Sequence, residues 1–238
     1  MIQSSIRVCF SILLALSAIL FSATASPGAV VVFDGVTTVQ TPIRIKVLTK
    51  GRIFAEGGRL VDIYLDNQHL KRILTGGDGY GFLKYIPGEP GFKSISARSK
   101  AGSSSGLLLV MRPSDKAIII EVEGAFKDAI FSQELRENSQ ETVKALSKDY
   151  TLIYLSRMVG KGISRSWLEE EDFPKSVILR WQGANTFKSL AKRGVKLYAV
   201  IGSAAVMSAA KKHIEHRLTF EKSKNAKFVK NWDEILEI

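Results

Sequence analysis

The run Lys116-Ala117-Ile118-Ile119-Ile120-Glu121-Val122-Glu123-Gly124-Ala125-Phe126 constrains this chain more than any other stretch. Five of its first seven residues are apolar and three are Ile, with no polar alternation. That composition predicts a strand over Lys116–Glu123 buried on both faces, because β-branched side chains pack well on a pleated surface. Two carboxylates one residue apart, Glu121 and Glu123, close the run, and Gly124 follows at once. Three further apolar runs alternate with helical patterns downstream, which predicts a doubly wound parallel sheet. Such sheets bind ligands outside the carboxyl ends of their strands, where these acids fall.

The downstream half reads in regular order. Asn138-Ser139-Gln140-Glu141 has the form of a capping box, with Asn138 as cap and Glu141 reaching back, opening a helix to about Lys148. Tyr150 to Ser156 is the second strand and Ile163 to Glu170 a helix with Ser164 or Ser166 near its start. Ser176 to Trp181 is the third strand; Asn185 to Arg193 is a helix stopped by Gly194. Val195 to Ile201 is the fourth strand, followed by a helix from Ala204 to Lys212, a strand at Arg217 to Phe220 and a final helical turn near Asn231 to Leu236.

The upstream half has a different rhythm. Arg59 to Asp66 alternates with period two, as a half-buried strand does. Asp66-Asn67, Gly76 to Gly79 and Pro87 to Gly91 are turns between short apolar segments, and Ala101 to Gly106 is a Ser/Gly loop leading into Leu107 to Met111. Strands at this spacing predict a β-sandwich. Pro113-Ser114-Asp115 marks the boundary, so the expected organisation is a sandwich over 28–113 and an α/β domain over 115–238. Asp62, Asp66 and Asp78 read as turn and strand acids, because their spacing matches no compact calcium cage.

The first 25 residues form a signal peptide: Arg7 is basic, Val8 to Phe21 is apolar and Ala23-Thr24-Ala25 is an A-x-A cleavage site. The apolar core is shorter than the roughly 20 residues of a spanning helix. Export to the periplasm or medium is therefore expected. The one Cys, Cys9, leaves with the signal, so the mature chain carries no thiol chemistry. A formal charge of +11 favours anionic surroundings, whether a phosphorylated ligand, an acidic partner or a membrane surface.

The upstream segment resembles bacterial immunoglobulin-like domains. The residues that carry the resemblance are Gly58 to Asp66, the turn Thr75-Gly76-Gly77-Asp78-Gly79-Tyr80-Gly81-Phe82 and the closing stretch Gly88 to Ala97. The downstream half resembles the haloacid dehalogenase phosphohydrolases, whose first strand ends Asp-x-Asp-Gly-Thr and whose second ends in Ser or Thr. Glu121, Glu123 and Gly124 stand at the first motif, Ser156 at the second, and Arg157 follows it. Ser166 to Pro174 is similar to the "T-x-x-W-L-x-x-x-x-F-P" helix of that family, and the whole is similar to its capless branch in the lipins. The resemblance implies a Rossmannoid fold, with Glu121 in the nucleophile position, Glu123 in the acid/base position and Arg180 or Lys188 as the phosphate-steadying cation. It also implies magnesium, held partly by two acids after the fourth strand. Here that stretch reads Gly202-Ser203-Ala204-Ala205-Val206-Met207, without either acid.

The expectation is therefore a non-catalytic exported protein with no cofactor or metal, whose degenerate domain binds an anionic ligand or a partner in the cell envelope. Gly124, Ser156, Arg157, Arg180 and Lys188 are its candidate binding residues, and the sandwich is a spacer with peripheral membrane-surface contact in reach. The alternative is a magnesium-dependent phosphatase acting on a phospholipid or another phosphoester. His213 and His216 lack a third ligand in the sequence. No G-x-S-x-G elbow supports a serine hydrolase. The basic tail Lys222 to Lys230 reads as a solvated face, and nucleic acid is not an expected partner.

Overall fold

The computed structural model describes residues 28–127 and 134–237. The signal-peptide expectation concerns residues outside that range. The first half is a β-sandwich of two sheets. One holds β1 (Ala29–Val32), β3 (Ile43–Lys50) and β6 (Tyr80–Tyr85) in the order β1-β3-β6. The other has the order β2-β8-β7-β4-β5, built from β2 (Gly35–Thr38), β4 (Leu60–Leu65), β5 (Gln68–Leu74), β7 (Gly91–Ser99) and β8 (Gly102–Met111). Alternating inward residues such as Val30, Ile45, Val47, Val61, Ile63 and Ile95 fill the space between the sheets. The β4–β5 hairpin turns through Asp66 and Asn67, both at positive φ (48° and 68°), as a two-residue primed turn requires.

The second half is a six-stranded sheet in the order β11-β10-β9-β12-β13-β14, with every pairing parallel. Its strands are β9 (Lys116–Glu121), β10 (Thr151–Ser156), β11 (Ile178–Arg180), β12 (Lys196–Ile201), β13 (His216–Thr219) and β14 (Lys227–Phe228). The helices are α1 (Val122–Ala125), α2 (Ser139–Asp149), α3 (Lys161–Glu170), α4 (Ala184–Lys192) and α5 (Ala204–Ala210), with a closing 3-10 turn at Asp233–Glu237. The strand order reverses between β9 and β12, which is the position where doubly wound sheets open a crevice.

Side chains of β9 point alternately to two different cores. Ile118 and Ile120 pack with Val143 and Leu146 of α2, Leu168 of α3, Phe126 and Trp232. Ala117 and Ile119 face the other way, with Phe187 and Leu190 of α4 and Val206 and Met207 of α5. That second core also contains Val36, Leu107, Leu109 and Met111 of the sandwich. From Leu107 to Met111, strand β8 is therefore buried on both faces: Leu108 and Val110 look into the sandwich, and their neighbours look into the α/β half. This accounts for its unbroken apolar run.

Several local expectations are corrected. The stretch Ala101–Gly106 is strand rather than loop from Gly102 on, because its backbone pairs with Ile95 to Ser99 of β7 whatever its small side chains. The first α/β strand stops at Glu121, and Val122 to Ala125 turn into α1. The capping box does not form. Asn138 takes φ +59° with no side-chain cap, and its amide donates instead to the Asp233 carboxylate at 3.0 and 3.2 Å. Strands β2, β5 and β14 are additions that the sequence patterns did not mark. Gly194 does end α4, at φ +77°, and its neighbour Val195 donates back to the Leu190 carbonyl at 3.2 Å.

Candidate functional site: the crevice between β9 and β12

The crevice gathers Glu121, Glu123, Gly124, Ser156 and Arg157 as the sequence suggests, but in an unexpected state: the two acids fill it. Glu121 ends β9 and is buried, with 1% of its side chain exposed. Its Oε2 accepts the Ser203 main-chain N–H at 2.6 Å, across the strand-order reversal. Room for the carboxylate comes from two glycines. A Cβ on Gly124 or on Gly202 would lie 2.6 Å from the same oxygen. Arg157 Nε stands 3.5 Å from Oε1, and its Nη1 donates to Ser203 Oγ at 3.2 Å. Burial pushes the Glu121 carboxyl up; the Ser203 hydroxyl and N–H and the Arg157 charge oppose this, Glu123 adds to it, and the net shift is upward.

Glu123 sits on the first turn of α1 and points at the loop after β10. Arg157 N–H donates to both its oxygens at 3.0 and 3.1 Å, and Met158 and Val159 N–H donate to Oε1 at 3.0 and 2.9 Å. The Ser156 hydroxyl completes the set at 2.9 Å, itself reached by the Ser164 hydroxyl at 3.2 Å. Three successive amides converging on one point make an anion cradle. Here the chain's own carboxylate lies in it. Burial by itself pushes the Glu123 carboxyl up, but the N–H groups of Val159, Arg157 and Met158 outweigh it and hold the group below its ordinary range.

These donors define what the crevice can do. The magnesium that the family resemblance implies needs hard oxygen ligands with free lone pairs. Glu121 is capped by Ser203 and faced by Arg157, while Glu123 is fully engaged by amides. Among the described residues no three His, Cys, Asp or Glu side chains come together. The donor set does not fit a magnesium site. His213 and His216 diverge, one against Phe187 and the other against Tyr198. Asp62 pairs with Arg72 and His69, Asp66 accepts the Ser94 N–H, and Asp78 accepts the Tyr80 N–H.

Of the two candidate steadying cations, Arg180 ends β11 and lines the cleft where the sandwich meets the sheet. Lys188 lies on the exposed face of α4 and lines neither cavity that Arg180 borders. Beside Arg180, the buried carboxylate of Asp34 joins the halves. It accepts Lys161 Nζ at 3.2 Å, the Arg165 guanidinium, and the N–H groups of Leu107 and Ile178 at 3.0 and 2.9 Å. Nothing in the sequence marks Asp34 for this role except its place in an Asp-Gly pair, which reads as a turn.

No family model matches the chain, and no curated protein matches it. Among solved structures, it is similar to a CARDB domain from Pyrococcus furiosus, at 16% identity over 35% of this chain and 89% of that one, with a TM-score of 0.27. It is similar to fibronectin(III)-like modules of Clostridium thermocellum CbhA at 15% identity, over 35% of this chain and 98% of that one, TM-score 0.26. A carbohydrate acetylesterase from Xanthomonas citri is similar at 10% identity over 84% of this chain and 70% of its own, TM-score 0.35. Likenesses this distant say nothing of activity. The class is defined by the architecture itself: a two-sheet β-sandwich joined to a six-stranded, all-parallel sheet with helices on both faces.

Proposed function

We propose that this chain is an exported, non-catalytic protein of the cell envelope that binds an anionic ligand or an acidic partner, with the sandwich as spacer and interaction module. The observation that carries this reading is the occupied cradle: the amides of Arg157, Met158 and Val159, which could hold a phosphoryl group, hold Glu123 instead. A nucleophile at Glu121 would have to leave the Ser203 N–H, and burial disfavours its ionised form. The strand order, and the placing of Glu121 and Ser156 at the ends of the first two strands, support a degenerate haloacid dehalogenase-like domain whose acids have become structural. The test is a phosphate-release assay on generic phosphoesters and phosphatidate, with and without magnesium. No turnover is expected. Magnesium-dependent release that disappears in Glu121→Ala would overturn the reading in favour of a phosphatase. Export is tested separately by the intact mass of envelope or medium protein, which is expected to begin near Ser26.

A further inference from the structure

With the β9–β12 crevice filled by its own acids, an anion has to be received elsewhere. A concavity of about 530 Å³ lies between the sandwich and α4, within the size range of small-molecule sites. Arg44 and Lys46 of β3 line one side, and Arg180 at the end of β11 and Arg193 after α4 line the other. Among the described lining residues the one carboxylate is Asp34, and it is already committed to Lys161 and Arg165. None of the four cations forms an ion pair with a described residue.

We infer that this cleft is the binding site of a small polyanion bearing carboxylate or phosphate groups, held between Arg44 and Lys46 on the sandwich and Arg180 and Arg193 on the α/β half. The inference rests on the non-catalytic reading and moves its ligand from Ser156 and Arg157 to the junction of the two halves. Like charges lining a low-dielectric cleft repel each other and focus a field that draws in counter-ions. Among the described residues Lys46 has no acid as its partner. Its Nζ sits over the rings of Phe33 and Tyr80, 4.6 and 4.2 Å from their centroids, rather than on an acid. Burial and the Arg180 charge hold its ammonium below the usual lysine range, against a weaker pull from Asp78. Arg193 Nη1 donates to the Val36 carbonyl at 3.2 Å, which orients the guanidinium at the floor of the junction without neutralising it. The adjoining cavity of about 370 Å³ shares Arg180 and adds Lys50, so basic side chains continue along the junction, while its Lys161 is already paired with Asp34. Phe82, half exposed at the mouth, and Trp181 supply apolar surface for the rest of a ligand.

The test is isothermal titration of the full chain with inorganic pyrophosphate and with citrate, and with glucose as the uncharged control. Saturable binding of either anion supports the inference: pyrophosphate alone identifies a phosphoryl ligand, citrate alone a carboxylate ligand. Arg180→Ala should weaken it about tenfold, the size of one charge-assisted hydrogen bond, and Arg44→Ala with it should weaken it further. Arg180→Lys should retain most of the affinity, Lys188→Ala all of it, and circular dichroism should show every variant folded. Binding that survives Arg180→Ala but is lost in Arg157→Ala would put the anion in the crevice and overturn the inference. No saturable binding of either anion would overturn it too, while leaving the non-catalytic reading to the phosphate-release assay.

Discussion

The main-chain N–H of Ser203 lies 2.6 Å from Oε2 of Glu121, so the end of one central strand is capped by the carboxylate that ends the other. In a doubly wound sheet this is the point where a ligand would ordinarily meet the protein. Here the contact is internal, and it links the strand ends instead of a substrate. A second carboxylate, on Glu123, repeats the pattern in the loop after β10.

The two acids should respond to pH in opposite ways. Glu123 is held below its ordinary range, so its charge stabilises the fold above the unfolded pKa. That contribution is lost as pH falls through the folded value. Glu123→Gln should cost about 1–3 kcal/mol at neutral pH, and the gap to the parent should narrow as pH falls below about 4, the ordinary glutamate range, closing only below the folded pKa. Glu121 is shifted upward, so its charge opposes folding at neutral pH and the cost is relieved as pH falls through its folded pKa. Glu121→Gln should therefore match or exceed the parent at pH 7. Urea unfolding across a pH series measures both.

Gly202 should tolerate no side chain while Glu121 is present. Its Cβ would meet Glu121 Oε2 at 2.6 Å and Glu121 Cβ at 2.7 Å. Gly202→Ala should destabilise by about 1–3 kcal/mol, the range of overpacked cores. In a Glu121→Gly background both contacts disappear and the penalty should shrink. A double-mutant cycle on unfolding free energies reads the coupling; additive effects would deny that the glycine exists for the carboxylate.

Asp34 should be the most sensitive polar position between the halves. Its fully buried side chain neutralises Lys161 and Arg165 and takes two main-chain N–H groups. Asp34→Ala leaves those partners without an anion and should cost on the order of 3 kcal/mol. The loss should appear in one cooperative transition, because Lys161 also donates to the Val32 and Ser105 carbonyls of the sandwich.

The halves should not part cleanly. Leu107, Leu109 and Met111 of β8 share one core with Ala117, Ile119 and Phe187. Expressed alone, residues 115–238 would expose the face that β2 and β8 cover, and should bind a hydrophobic dye or aggregate. Limited proteolysis should spare 102–106, which β7 holds as strand, and cut first at Arg112–Asp115. A soluble, dye-negative 115–238 fragment would show that the two halves fold independently.

Much of the fold was readable in the residues alone. Runs such as Ala117 to Ile120, Leu152 to Leu155 and Ala199 to Ile201 are buried on two faces, and a two-faced burial leaves its mark directly in composition. Gly194 and the Asp66-Asn67 pair announced their turns because a backbone at positive φ selects for few residue types. Tertiary structure decided what side-chain chemistry does not encode locally. The Ser/Gly run at 102–106 became strand through backbone pairing, which small side chains neither favour nor advertise. Asn138 has the composition of a cap, yet the Asp233 carboxylate, 95 residues away, claims its amide. The acids Glu121 and Glu123 were legible as a pair at a strand end, but their state was not. Most of their partners are main-chain amides of residues 157–159 and 203, and every residue type but proline carries that same N–H. Arg44, Lys46, Arg180 and Arg193 give no signal as a group in the sequence: only the fold, which sets β3 across one cleft from β11 and α4, brings their charges into one space.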